Sequence, residues 1–173
     1  VRVNGVLYGL PNNRDMAQGR GCAAIATEYL EGIGYQVDET VEIQQITLDE
    51  LNSIYEQLHA KYPDKEVYRP VPLSMSQFSN VDLLGGNAFG VLLDYGKELK
   101  VENLFTSDYY IDYVTRMFDY NQKGYISKDA ATDTTAVTEL VKAGTLIGYT
   151  TGGKPGIKQQ ESSLTGRPMT IFQ

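Results

Sequence analysis

Two amides, a guanidinium and a carboxylate stand in a row at Asn12-Asn13-Arg14-Asp15, directly after an apolar run that Pro11 stops. Side chains of this kind combine donors and acceptors in planar groups, the chemistry that grips a polar solute by paired hydrogen bonds. A second polar stretch, Thr150-Thr151-Gly152-Gly153-Lys154, follows the apolar run 146–149. In open α/β sheets ligands lie off the carboxyl ends of strands, and both stretches fall at such ends.

Covalent chemistry finds no comparable support. Gly152-Gly153-Lys154 invites a phosphate-loop reading, with Gly148 in the place of the first glycine. That loop needs Ser or Thr after the lysine to meet magnesium, and Pro155 stands there instead. Gly19-Arg20-Gly21 and Gly85-Gly86 complete no dinucleotide fingerprint, and tight turns account for them. Residues 119–126 open like a calcium loop but lack its regular acidic positions and terminal glutamate. Cys22, the only cysteine, sits in the small-residue run 21–26 and reads as core. His59, the only histidine, falls late in an amphipathic helix. No Cys/His spacing suits a metal, and no carboxylate pair is pinned into an acid–base arrangement. The sequence therefore supplies no catalytic residue, no metal site and no cofactor site.

The elements that must position the polar stretches are legible. A chain of 173 residues is the size of one domain. Val6–Leu10 reads as a strand and Gly21–Ala26 as a second, fully buried one, since it lacks polar alternation. Thr27 to Leu30 forms a helical turn that Gly32 and Gly34 end. Thr47-Leu48-Asp49-Glu50 is a capping box opening a helix to residue 61, with Leu48, Leu51, Ile54, Tyr55 and Leu58 on its apolar face. Prolines at 70 and 72 keep 67–73 extended, and 74–84 reads as a short helix. Phe89–Leu93 is a brief strand. The longest helix starts at the Ser107 cap and buries Tyr110, Ile111, Val114, Met117 and Phe118, with Gly124 as its stop. A helix over 133–142, a strand over 145–151, a helix over 154–163 and a strand over 169–172 complete the chain. Strands interleaved with helices predict an α/β architecture with a mainly parallel or mixed sheet.

Bulk properties exclude some partners. The net charge is −7, and the 15 basic residues are scattered without an adjacent pair, which argues against nucleic acid and an anionic membrane surface. No window approaches the roughly 18 consecutive apolar residues that span a bilayer. Thirteen tyrosines and no tryptophan suit a wet binding surface, although most tyrosines are expected to be packing residues at element edges. A chain that opens in mid-strand is expected to be a cut through a larger polypeptide.

Taken in order, Asn4-Gly5-Val6-Leu7-Tyr8-Gly9-Leu10-Pro11, Thr27-Glu28-Tyr29-Leu30, Gly34-Tyr35, the 47–50 capping box, Leu84-Gly85-Gly86-Asn87-Ala88-Phe89, residues 118–126 and Val141-Lys142-Ala143-Gly144-Thr145 resemble the extracellular solute-binding proteins of ABC importers. The resemblance covers essentially the whole chain and is strongest to the Gram-positive lipoprotein branch related to maltose-binding protein. It implies a type II periplasmic-binding-protein-like lobe, a mixed or parallel sheet flanked by helices. Residues 1–173 would form most of the C-terminal lobe, without the N-terminal lobe or the returning C-terminal segment. It also implies a small-molecule solute, a sugar before others, and an ABC permease as partner of the full-length protein. Membrane attachment would come only through a lipid anchor outside this chain, placing the protein at the outer face of the cytoplasmic membrane. By the same resemblance Asp15 takes the place of a sugar-contacting carboxylate, with Asn12, Asn13 and Arg14 beside it. Ser74 and Gln77 fall on a second wall, and Thr150, Thr151 and Lys154 on a third.

Two other readings stay open on the residues: a small α/β enzyme acting on a polar metabolite, and a binding protein for peptides or other non-sugar solutes. A stand-alone surface interaction domain is a further possibility. Asp15→Ala and Arg14→Ala separate the solute-binding reading from the enzyme. In a binding protein both variants keep the circular dichroism spectrum and lose ligand in a titration of the full-length protein; turnover of a metabolite would contradict that reading.

Overall fold

The chain's computed structural model describes residues 2–3, 6–7, 21–70, 81–84 and 89–173. Strands Arg2–Val3 (β1) and Val6–Leu7 (β2) pair antiparallel. Gly21–Ala26 (β3) runs straight into the helix Thr27–Gly32 (α1), and Leu48–Lys61 (α2) leads to Glu66–Arg69 (β4). Asp82–Leu83 (β5), Gly90–Leu92 (β6) and Glu102–Asn103 (β7) form a small antiparallel sheet. The helices Asp108–Gln122 (α3) and Val137–Ala143 (α4) precede Leu146–Gly152 (β8), Ile157–Thr165 (α5) and Met169–Phe172 (β9).

The main sheet has the order β4-β8-β3-β9. β4 is parallel to β8, whereas β3 runs antiparallel to both β8 and β9. The sheet is therefore mixed, and the carboxyl ends of β4, β8 and β9 gather at one edge with the amino end of β3. β3 is buried from Cys22 onward and carries mostly alanine, so its neighbours close tightly over it. Gly148 of β8 shows how tightly: a Cβ there would meet the Ala24 carbonyl oxygen at 2.8 Å. Gly148 thus serves strand contact in mid-sheet, which disposes of the phosphate-loop reading. The core beneath is built from Leu30, Tyr55, Leu58, Val67, Ile147 and Phe172.

The capping box forms as expected, with Glu50 N donating to Thr47 Oγ1 at 3.2 Å and Thr47 N to Glu50 Oε2 at 2.7 Å. Leu48 departs from the expected face and is 43% exposed in the first turn. α3 is rotated from the expected stripe: Ile111 and Phe118 are exposed, while Met117 and Tyr120 pack on the main core and Tyr110 and Tyr113 on the smaller cluster of Val91 and Leu104. This helix has apolar groups on both faces, and its tyrosines carry the packing. The helix expected over 74–84 is not found at its end, where Asp82–Leu83 pairs with β6; residues 74–80 lie outside the described residues. α5 starts at 157, not 154, because Pro155 and the left-handed Gly156 (φ +76°) form a turn first.

α4 likewise starts at 137, not 133, because Asp133 is engaged elsewhere. Arg69, 7% exposed at the end of β4, donates to Glu66 through Nε (3.0 Å) and Nη2 (2.6 Å) and to Asp133 through Nη1 (2.6 Å). Hydrogen bonds from Thr135 and Arg69 hold the Asp133 carboxyl well below the usual carboxylate range. A depressed carboxyl contributes stability that is present above its unfolded pKa, about 4, and disappears as pH falls through the folded value. Asp133→Asn is therefore expected to flatten the dependence of the urea midpoint on pH between about pH 5 and pH 2. Gly148→Ala is expected to destabilise the chain by about 1–3 kcal/mol in urea denaturation, the cost of overpacking a closed contact.

Candidate functional site

The gathered strand ends, the first turns of α2 and one face of α3 enclose a cavity of about 300 Å³. Its sheet side is formed by Gly21, Cys22 and Ala23 of β3 with Thr150 of β8, and Gln173 follows β9 at the rim. α2 contributes Tyr55, β4 contributes Tyr68, and α3 contributes Arg116, Met117 and Tyr120.

The register explains which side chains arrive. Tyr68 pairs with Gly148, and Thr150 lies two residues further along β8, so both project to the same face. Tyr68 Oη and Thr150 Oγ1 share a hydrogen bond of 2.5 Å. The Tyr68 ring lies 5.2 Å from that of Tyr55, and Tyr120 meets both edge-on at 5.9 and 5.7 Å. Tyr120 donates its hydroxyl to Asn52 Oδ1. Burial raises all three phenols: Tyr55 well above the ordinary value, Tyr120 to about 12, and Tyr68 against the opposing hydrogen bond from Thr150. They stay neutral donors throughout the physiological range.

Alternation sends Thr151 the other way. Its Oγ1 donates to Glu161 Oε1 at 2.9 Å, and Tyr149 donates to the other oxygen of the same carboxylate. Glu161, buried on α5, is met by neutral hydroxyls and by the Gln160 amide at 3.4 Å. Burial first and that hydrogen bond second push the Tyr149 phenol far up. Lys154 is exposed in the loop after β8. Of the expected contacts, Thr150 enters the cavity, Thr151 is held under α5, and Lys154 stands at the surface. Asn12, Asn13, Arg14, Asp15, Ser74 and Gln77 lie outside the described residues.

Cys22 lines the cavity from β3, and burial raises its thiol, as suits a core residue and not a nucleophile. His59 packs its ring 5.4 Å from Tyr125, away from the cavity, and its Nδ1 is buried without a hydrogen-bond partner among the described residues. No group of three His, Cys, Asp or Glu among the described residues could hold a metal. No helix among them is long and apolar enough to cross a membrane. The residues that sequence reasoning passed over are Tyr55, Tyr68, Tyr120 and Arg116. The tyrosine count pointed to the first three only collectively, and nothing distinguished Arg116 from the other scattered cations.

No protein-family model matches the sequence, and no curated protein does. Solved structures do. The chain superposes on the N-glycan transport solute binding protein NgtS of Streptococcus pneumoniae, in complex with Man1GlcNAc, over 99% of this chain and 38% of that one, with a TM-score of 0.71 and 19% identity. It matches extracellular solute-binding protein family 1 from Alicyclobacillus acidocaldarius over 99% and 39%, with a TM-score of 0.58 and 15% identity. The fold is that of a type II solute-binding protein. An ABC substrate-binding protein from Listeria monocytogenes, in complex with cycloalternan, shares the solute-binding fold over 76% of this chain and 31% of its own, with a TM-score of 0.51 and 14% identity. This chain thus spans between about a third and two fifths of the length of these solute-binding proteins.

The raised phenols yield a measurable signature. Ultraviolet titration of the tyrosines is expected to leave a late group that ionises only near pH 12 or above, and Tyr120→Phe should remove one phenol from it. A folded pKa raised by burial supports the fold below the unfolded value near 10 and loses that support as pH rises toward 12. The variant should therefore lose less stability over that interval.

Proposed function

We propose that this chain is the C-terminal lobe of the extracellular solute-binding protein of an ABC importer, and that its solute is a carbohydrate. The observation that carries the reading is the cavity at the carboxyl ends of β4, β8 and β9, where aromatic rings stand beside hydroxyls. Rings pack against the C–H faces of sugars while hydroxyls and planar polar groups bond their OH groups. The solute-binding fold supports it, as do the two neighbours solved with oligosaccharides.

In this reading Thr150 contacts the solute directly, and Thr151, pinned by Glu161, fixes the end of β8. The row Asn12, Asn13, Arg14 and Asp15, with Ser74, Gln77 and the exposed Lys154, adds further contacts to the solute. The solute is bound and handed on unchanged, so the chain is a transport component and not an enzyme. A second lobe closing over the same solute would add contacts available only in the closed state. One lobe alone keeps about half of them and binds weakly. The full-length protein would be held at the outer face of the cytoplasmic membrane by a lipid anchor and would deliver its cargo to a permease.

A thermal-shift screen of the chain against saccharides and short peptides tests this. A saccharide at about ten times its dissociation constant adds roughly 1.4 kcal/mol, a rise of a few degrees in a domain of this size. Saccharides are expected to raise the midpoint and peptides to leave it in place. A response to peptides alone, or turnover of a saccharide, would contradict the proposal.

A further inference from the structure

The carbohydrate reading does not say which sugars the cavity accepts, and one side chain in it bears on that. Arg116 lines the cavity from α3, half-buried, and has no hydrogen bond or ion pair among the described residues. The contrast with other arginines is sharp: Arg69 is paired with Glu66 and Asp133, and Arg167 with Glu28. No Asp or Glu lines the cavity among the described residues, although the chain carries 22 acidic residues against 15 basic ones. Among the described residues, therefore, an acidic protein leaves this one cation without a counter-charge in a recess that water and solutes can enter.

A second donor waits there. Tyr55 is 1% exposed and lines the cavity, and its hydroxyl has no hydrogen bond among the described residues. The Arg116 charge also reaches across the recess, drawing the Tyr68 and Tyr120 phenols down against the larger effect of their burial. A guanidinium presents donors in a fork that matches a carboxylate bidentately, and a neutral hydroxyl uses little of that capacity. The volume is at the small end of ligand sites and suits a single sugar ring.

We infer that the cavity takes a carboxylate-bearing sugar, a hexuronic acid unit, with Arg116 pairing the carboxylate and the Tyr55 hydroxyl donating a hydrogen bond to it. The inference rests on the carbohydrate reading and narrows it to an acidic unit of the solute. It makes Arg116 a specificity determinant: a neutral hexose fits the same rings but leaves the guanidinium without its counter-ion.

The test follows the methionine methyl signals of the 173-residue chain by carbon-13 NMR while glucuronate, glucose or acetate is added to millimolar concentrations. Met117 lines the cavity, and Met169, fully buried in the sheet, reports the fold. Glucuronate is expected to move the Met117 signal with a dissociation constant at least tenfold below those of glucose and acetate. In Arg116→Gln that preference should vanish while Met169 stays in place; Arg116→Lys should keep part of it. Equal response to glucose and glucuronate, a preference that survives Arg116→Gln, acetate acting as well as glucuronate, or no Met117 shift would each overturn the inference. The broader reading fails separately, in the thermal-shift screen: neutral saccharides that raise the midpoint uphold it even where glucuronate shows no advantage.

Discussion

The architecture depends on one close approach, that of β3 to β8 at Gly148. The Ala24 carbonyl leaves no room for a side chain there, and the buried alanines of β3 keep that strand's own side chains small. Wedged between β8 and β9, β3 points against both, so its amino end meets their carboxyl ends at a single edge. Its other end is pinned where it becomes α1: Thr27 N donates to the Pro168 carbonyl at 2.9 Å, and the Thr27 and Thr170 hydroxyls share a buried hydrogen bond of 2.9 Å. A slip of one residue in β3 would exchange the faces of every side chain along it. The placement of the cavity thus follows from packing at the middle of the sheet.

From that edge, strand alternation divides the labour between neighbours. Thr150 turns to the cavity and shares a hydrogen bond with Tyr68, while Thr151 and Tyr149 turn to α5 and satisfy the buried Glu161. The same strand end therefore carries a surface for a solute on one side and an anchor on the other. The tyrosine cluster does two things as well. Its rings close the core against α2 and α3, and its hydroxyls supply neutral donors beside the recess. In the account proposed here, Arg116 adds the charge that chooses among solutes which such a surface would otherwise hold alike.

Much of the scaffold was legible in the residues. β3 and β9 fall where the unbroken apolar runs place them, the Thr47–Glu50 box opens α2, and Gly144 closes α4 in the left-handed conformation. These are local signals whose physics is complete within a few residues. The misreadings share another cause. Ile111 and Phe118 read as core residues by hydrophobicity, but α3 also offers tyrosines on its opposite face, and tertiary contacts choose those. Asp133 reads locally as the start of a helix, and only the fold reveals that Arg69, 64 residues away in sequence, recruits it. The site divides the same way. Thr150 could be expected from its place at a strand end, whereas Thr151 differs from it only in alternation, and Arg116 acquires meaning only from its place in a cavity that no carboxylate lines among the described residues.

The central claim is that the edge where β4, β8 and β9 end is where this chain holds its solute. A crystal structure of the chain grown with a saccharide tests it most directly. The account predicts the sugar ring in the recess between Thr150, Tyr55 and Arg116. A saccharide bound at the opposite end of the sheet, beside Gly144, with the recess left empty, would contradict it.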